Sequence, residues 1–124
     1  MSIDMTTTTA RTVTINAPFV IDANELWSRI WGACPQSFGH WIKQITFLDG
    51  CDWDRHGIAA VVLEDPNDED KTVTRFVNVE TLASALSDIG FPEHLRRAIL
   101  DDNADSGSAD AAIQFAVYGD IVFG

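Results

Sequence analysis

The stretch Gly57–Val79, GIAAVVLEDPNDEDKTVTRFVNV, decides the fold class. Its first seven residues are continuously apolar over the length of one strand, and its last eight are β-branched and aromatic, so each reads as a β-strand. Between them, EDPNDEDK combines a proline, an asparagine and five carboxylates, which resist burial and predict a turn. Upstream, HWIKQITFL sets Trp41, Ile45 and Phe47 on one side of a third strand, with Lys43 alone breaking the pattern. A three-stranded antiparallel meander follows, with Asp49–Gly57, DGCDWDRHG, as its other connection.

On either side of this sheet the period changes from two to about 3.6. In VIDANELWSRIWG, Asp22 is a predicted N-cap, Glu25 three residues later completes a capping box, and Ile21 and Leu26 form a hydrophobic staple. Leu26, Trp27, Ile30 and Trp31 share a face that belongs in a core, and Gly32 is placed to end the helix in the left-handed conformation. Downstream, Asn78 is a predicted cap for a helix burying Leu82, Ala85, Leu86 and Ile89, with Gly90 as its terminus and Phe91 folded back on Leu86. Pro92 opens a helix facing inward with Leu95, Ala98 and Ile99 and leaving Arg96 and Arg97 solvated, and Ser108 caps a last helix closed by Gly119. Val13 and Ile15 alternate as a short strand after a mobile leader over residues 1–11. The apolar end, Ile121 to Phe123, must dock, either on the chain's own core as a fourth short strand or on a second copy as a homodimer edge. The expectation is a single α+β domain over residues 12–124, a small antiparallel sheet packed against about four helices.

Composition limits function. The 124 residues carry 19 acidic and 8 basic side chains, a formal charge of −11. Such a field repels phosphate, so direct nucleic-acid binding is disfavoured and a basic protein partner favoured. No apolar run approaches the roughly 20 residues that cross a bilayer, and the start lacks the apolar core of an export signal, so the reading is a cytoplasmic protein with no membrane contact. Cys34 and Cys51 form no C-x-x-C pair and are expected as free thiols.

DGCDWDRHG holds the residue types of a metal or acid/base site. Asp52, Asp54 and His56 followed by Gly57 resemble the start of a calcium loop, but the twelfth position is Leu63 where a bidentate Glu is needed. Cys34, His40, Cys51 and His56 are the donor types of zinc, at spacings that match no compact knuckle. Asp49, Asp52, Asp54 and His56 could still serve a metal-assisted hydrolase, which is the rival reading from the enzyme class. No nucleophile elbow, phosphate loop or dinucleotide fingerprint occurs, so no catalytic residue and no cofactor is assigned. The remaining signal is two acidic groups, Glu64, Asp65, Asp68, Glu69 and Asp70, then Asp101, Asp102 and Asp105. On a shared face they would present the charge spacing of a nucleic acid to a basic protein site.

FLDGCDWD ahead of a strand, the passage NVETLASAL, and the ending DAAIQFAVYGDIVFG together resemble small acidic proteins encoded by tailed bacteriophages of actinobacteria. The resemblance spans roughly residues 41–124. It implies production inside an infected host cell and carries over no catalytic residue, and it favours a binding protein that sequesters a host protein, as phage accessory proteins often do. A third reading is a homo-oligomeric structural protein that uses the apolar tail.

Overall fold

A computed structural model describes residues 11–15 and 19–122. The leader expected over residues 1–11 lies outside the described residues apart from Arg11, as does Phe123. The meander forms as read. Strands β3 (Ile42–Leu48), β4 (Ile58–Asp65) and β5 (Asp68–Val77) pair antiparallel in the order β3-β4-β5. A second antiparallel sheet joins β1 (Thr12–Ile15) to β2 (Phe19–Asp22), a strand the cap reading of Asp22 had concealed. The additional strands therefore lie at the N-terminal side. Ile121 and Val122 form no strand, although Ile121 packs half-buried against the core.

Lys43 is the extra residue of a bulge, since Ile42 faces Leu63 while Gln44 faces Val62. This is why a lysine sits in an otherwise alternating strand: the bulge turns Ile42 inward together with Ile45 and Phe47, and Lys43 leaves the ladder. The turn after β4 is shorter than the sequence implies. Asp65 pairs with Asp68 across Pro66 and Asn67, so Asp68, Glu69 and Asp70 belong to β5, with a second irregularity between Glu64 and Asp65.

Four helices complete the α+β domain: α1 (Ala23–Trp31), α2 (Val79–Ser87), α3 (Glu93–Leu100) and α4 (Ser106–Tyr118). Asp22 caps α1 by accepting from the Glu25 amide at 3.0 Å. Glu25 does not return the bond; its carboxylate accepts from Arg29 Nε at 2.9 Å, one turn on. Gly32 stays right-handed, and the left-handed residue is Cys34, with φ 56°. What Gly32 supplies is room, because a Cβ there would stand 3.2 Å from the Trp53 ring.

Asn78 caps α2 through a reciprocal pair of bonds with Thr81. The helix then stops at Ser87, two residues early, and Ile89 is left 100 % exposed rather than buried. The cause is Arg96. Expected in water, it is only 9 % exposed, and its guanidinium donates to the carbonyls of Leu86 at 2.6 Å and Asp88 at 2.8 Å, and to Phe91 at 3.4 Å. It also lies over the Phe91 ring and pairs with Glu93. Arg96 thus satisfies the orphan acceptors where α2 ends and turns into α3. Pro92 precedes α3 as its cap residue instead of occupying its first turn. Arg29 performs the same service for α3, donating to Ile99 and Leu100 at 3.1 and 2.9 Å.

Helix α4 is the centre of the fold. Residues 108–115 are all buried, so it has no solvated face until its last turn. Its cap is Asp105, not Ser108; Ser108 is the third helical residue and returns the bond to the Asp105 amide. Gly119 ends it at φ 76°, a conformation that costs glycine little. The helices pack on one side of the β3-β4-β5 sheet, where Ala59, Val61, Leu63 and Val77 are fully buried, and β1-β2 packs against the helices.

Candidate functional site

Three places hold chemistry-bearing residues: the Asp49–Gly57 loop, a buried carboxylate in α4, and the outer face of the larger sheet with its acidic tip.

The loop is the connection the sequence predicts. Asp49 and Gly50 both take positive φ, as in the mirror-image turns that favour Asp-Gly, and the Cys51 amide closes the turn onto Leu48. The loop is fastened to α1 at two points. Trp27 Nε1 donates to the Asp52 carbonyl at 2.7 Å, and the His56 amide donates to Asn24 Oδ1 at 2.9 Å. Gly57 lets the chain pass Cys51 closely, where a Cβ would come within 2.8 Å of the thiol sulfur. One Asp52 oxygen is used locally, accepting from the Asp54 amide at 2.8 Å. A concavity of about 340 Å³ opens in the loop beside Asp49, Arg55 and His56, but neither Asp52 nor Asp54 lines it. Among the described residues no group of three or more His, Cys, Asp or Glu side chains could hold a metal ion. Asp52, Asp54 and His56 are thus neighbours in sequence without forming a ligand set there, and Cys34 and Cys51 are free thiols.

Partial burial, followed by the nearby Arg11 charge, pushes the His56 pKa below its ordinary value; Asp22 opposes the shift weakly. The folded protein then binds a proton at His56 less readily than the unfolded chain, so this contribution to stability is present above about pH 6.5 and declines as pH falls through the folded pKa. Urea unfolding from pH 7.5 down to pH 5 should show a slope that His56→Gln flattens; an unchanged slope would count against the assignment.

Asp110 is the buried carboxylate. It is 1 % exposed, and its two oxygens accept from Trp41 Nε1 at 2.5 Å and from Gln114 Nε2 at 2.8 Å. Gln114, fully buried, accepts in turn from the Val122 amide at 2.8 Å. Burial raises the Asp110 pKa and the two donors partly offset it. A raised carboxylate pKa in a cavity wall is a signature of acid/base sites. Here both oxygens are committed to holding Trp41 and Gln114, so the group ties β3, α4 and the chain end together.

The two acidic groups meet α4 at different points. Asp105 caps the N-terminus of α4, whereas the Glu64 carbonyl accepts from Tyr118 near its C-terminus at 3.1 Å. Thirteen helical residues separate the two anchors, about 20 Å at 1.5 Å per residue. Several carboxylates are also engaged: Glu64 faces His40 and Lys43, Asp68 faces Lys71, and Asp102 faces Arg29. Asp65, Glu69 and Asp70 at the β4-β5 tip, and Asp101 and Asp105, form no ion pair among the described residues.

Beside that tip lies a surface the sequence did not single out. The register aligns Thr46, Ala60 and Phe76 in one row, Gln44, Val62 and Thr74 in the next, and Leu48 with Ile58. Alternation directs these side chains away from Val61 and Leu63, onto the outer face. Phe76 is 65 % exposed and Ile58 41 %. None of the eight is charged.

Comparison of the chain with protein-family models, with curated proteins and with solved structures finds no match. Function therefore has to be argued from these surfaces. The readable signal was the outward phase of the meander: once Val61 and Leu63 point inward, Phe76 and Ile58 must point out. No helix of the described residues is long and apolar enough to cross a membrane.

Proposed function

We propose that the chain is an acidic binding protein that acts on a basic protein partner through the outer face of the β3-β4-β5 sheet, without catalysis. The observation that carries this reading is an uncharged face, centred on Phe76, Val62 and Ile58, followed along the strands by the Glu64–Thr72 row and then by Asp65, Glu69 and Asp70, which form no ion pair among the described residues. An apolar patch bordered by charge is the usual anatomy of a protein interface. Its complement is an apolar patch bordered by Lys or Arg. A second copy of this chain would bring another charge of −11 to the contact, so long-range repulsion works against self-association and in favour of a basic partner. The resemblance to actinobacterial phage proteins supports a setting in the cytoplasm of an infected host cell, where such a surface would sequester a host factor. In this reading the carboxylates at the tip supply the charged part of the contact.

The test is capture from host lysate at low salt by wild type, by Phe76→Asp and by the triple variant D65N/E69Q/D70N, with light scattering on each. The expected result is a basic protein held by wild type, released as salt rises, and lost with both variants. Retention by all three, or no retention at low salt, sinks the proposal. A concentration-dependent dimer abolished by Phe76→Asp would assign the face to a second copy instead.

A further inference from the structure

The pairing of the larger sheet determines which backbone groups of β5 are left open to a partner. The Glu64 amide donates to the Trp41 carbonyl at 2.8 Å, so Glu64 turns its backbone groups toward β3. Backbone direction alternates along a strand, so Ala60 and Val62 also turn toward β3, while Ala59, Val61 and Leu63 turn toward β5. Their partners Val77, Arg75 and Val73 are the residues that exchange hydrogen bonds with β4. Thr72, Thr74 and Phe76, which stand opposite Glu64, Val62 and Ala60, therefore aim their N–H and C=O groups at the open side of β5.

That side carries no further strand, because β5 is an outer strand of the sheet. Thr72, Thr74 and Phe76 are all exposed, and among the described residues their amides make no bond outside the ladder. Arg75 Nη1 donates to the Thr74 carbonyl at 3.2 Å, which leaves three amides and two carbonyls to water. The other outer strand, β3, is broken by the Lys43 bulge, whereas Thr72–Val77 pairs in regular register and contains no proline. A regular outer strand with open backbone groups is a template for one more strand. Phe76 stands at one end of this run, and the exposed Glu69 and Asp70, which form no ion pair among the described residues, stand beyond the other.

We infer that an extended segment of the partner adds to β5 as a fourth strand, with apolar side chains beside Phe76 and Lys or Arg beside Glu69 and Asp70. This rests on the proposed function and specifies how the basic partner is held. Main-chain hydrogen bonds to Thr72, Thr74 and Phe76 supply the affinity, and the apolar and acidic ends of β5 set the direction of the segment.

Amide hydrogen exchange of the ¹⁵N-labelled chain, with the synthetic peptide TVFVTVKRK as probe, tests this. In the free chain the Thr72, Thr74 and Phe76 amides should exchange fast and those of Val73, Arg75 and Val77 slowly. The peptide should slow the first three saturably, by about tenfold or more, and a form N-methylated at two adjacent central amides, which blocks both of its edges, should not. Thr74→Pro removes an N–H that the ladder does not use, so the fold should survive while the peptide binds about tenfold more weakly. The inference is overturned if the peptide gives no saturable protection at millimolar concentration, if the N-methylated form or Thr74→Pro binds as well, or if the three amides are already protected in the free chain. Protection that grows with protein concentration alone would give the edge to a second copy and overturn it too. A lysate partner lost with Phe76→Asp but kept by Thr74→Pro overturns strand addition and leaves the proposed function standing. Peptide protection with no lysate partner sinks the proposed function alone.

Discussion

Arg96→Ala is expected to lower the unfolding free energy by about 3 kcal/mol, measured by urea denaturation, while Arg97→Ala one position on changes it by less than about 0.5 kcal/mol. The two arginines are adjacent in sequence and opposite in role. Arg96 is buried and donates to three carbonyls at the end of α2, so its removal leaves the buried Leu86 acceptor without that donor and opens space beside Phe91, while the Asp88 carbonyl keeps the Phe91 amide at 3.0 Å. Arg97 has an exposed side chain and a long contact to Glu93 at 3.5 Å, the kind of surface pair that contributes little. Arg96→Lys should recover only part of the loss, because a single ammonium cannot reach three divergent carbonyls as a guanidinium does. Equal effects of the two alanine variants would remove Arg96 from this role.

Asp110→Ala is expected to cost about 2–3 kcal/mol, since it removes a buried carboxylate that accepts from both Trp41 Nε1 and Gln114 Nε2. Asp110→Asn keeps an acceptor for Trp41 but sets a second amide donor against Gln114, so it should lie between wild type and the alanine variant. The pH dependence separates charge from hydrogen bonding. A raised folded pKa means that the native state holds a proton more tightly, so this group's contribution is present below the unfolded value near 3.8 and is lost as pH rises through the folded pKa. The margin of wild type over Asp110→Asn should accordingly be larger at pH 4 than at pH 7. A margin that grows toward neutral pH would show that the charged form is the one the fold favours.

Much of the architecture could be read along the chain because it depends on local rules. Asp22, Asn78 and Gly119 sit where caps and a left-handed stop are needed, and the apolar and β-branched runs on either side of Pro66-Asn67 make a hairpin. The misreadings come from partners that the local reading did not weigh, two of them outside the element and one a nearer cap. Ile89 continues the apolar stripe of α2, yet Arg96, eight residues on from Asp88 and ten from Leu86, holds their carbonyls where the helix stops. Ser108 is a good cap by type, but Asp105 lies three residues ahead and makes the reciprocal bond. Lys43 reads as a defect in a strand until its neighbours are known, when it becomes the residue a bulge expels.

The candidate site follows the same division. That DGCDWDRHG connects two strands, and that the chain is strongly acidic, are properties of residue order and composition, determined before any fold exists. Which of its groups matter is decided by packing. The Trp27 and Asn24 bonds turn the loop into a wall that brings Trp53 to Gly32, and its aspartates gather no ligand set among the described residues. Similarly, helix α4 is capped by Asp105 at one end and donates through Tyr118 to the Glu64 carbonyl near the other, a placement that spacing in sequence does not reveal. Sequence acts through forces that span a few residues, such as caps, turns and periodicity. Faces, clefts and charge neighbourhoods arise only when segments tens of residues apart are packed together, as Trp27 is with Asp52 and Trp41 with Asp110.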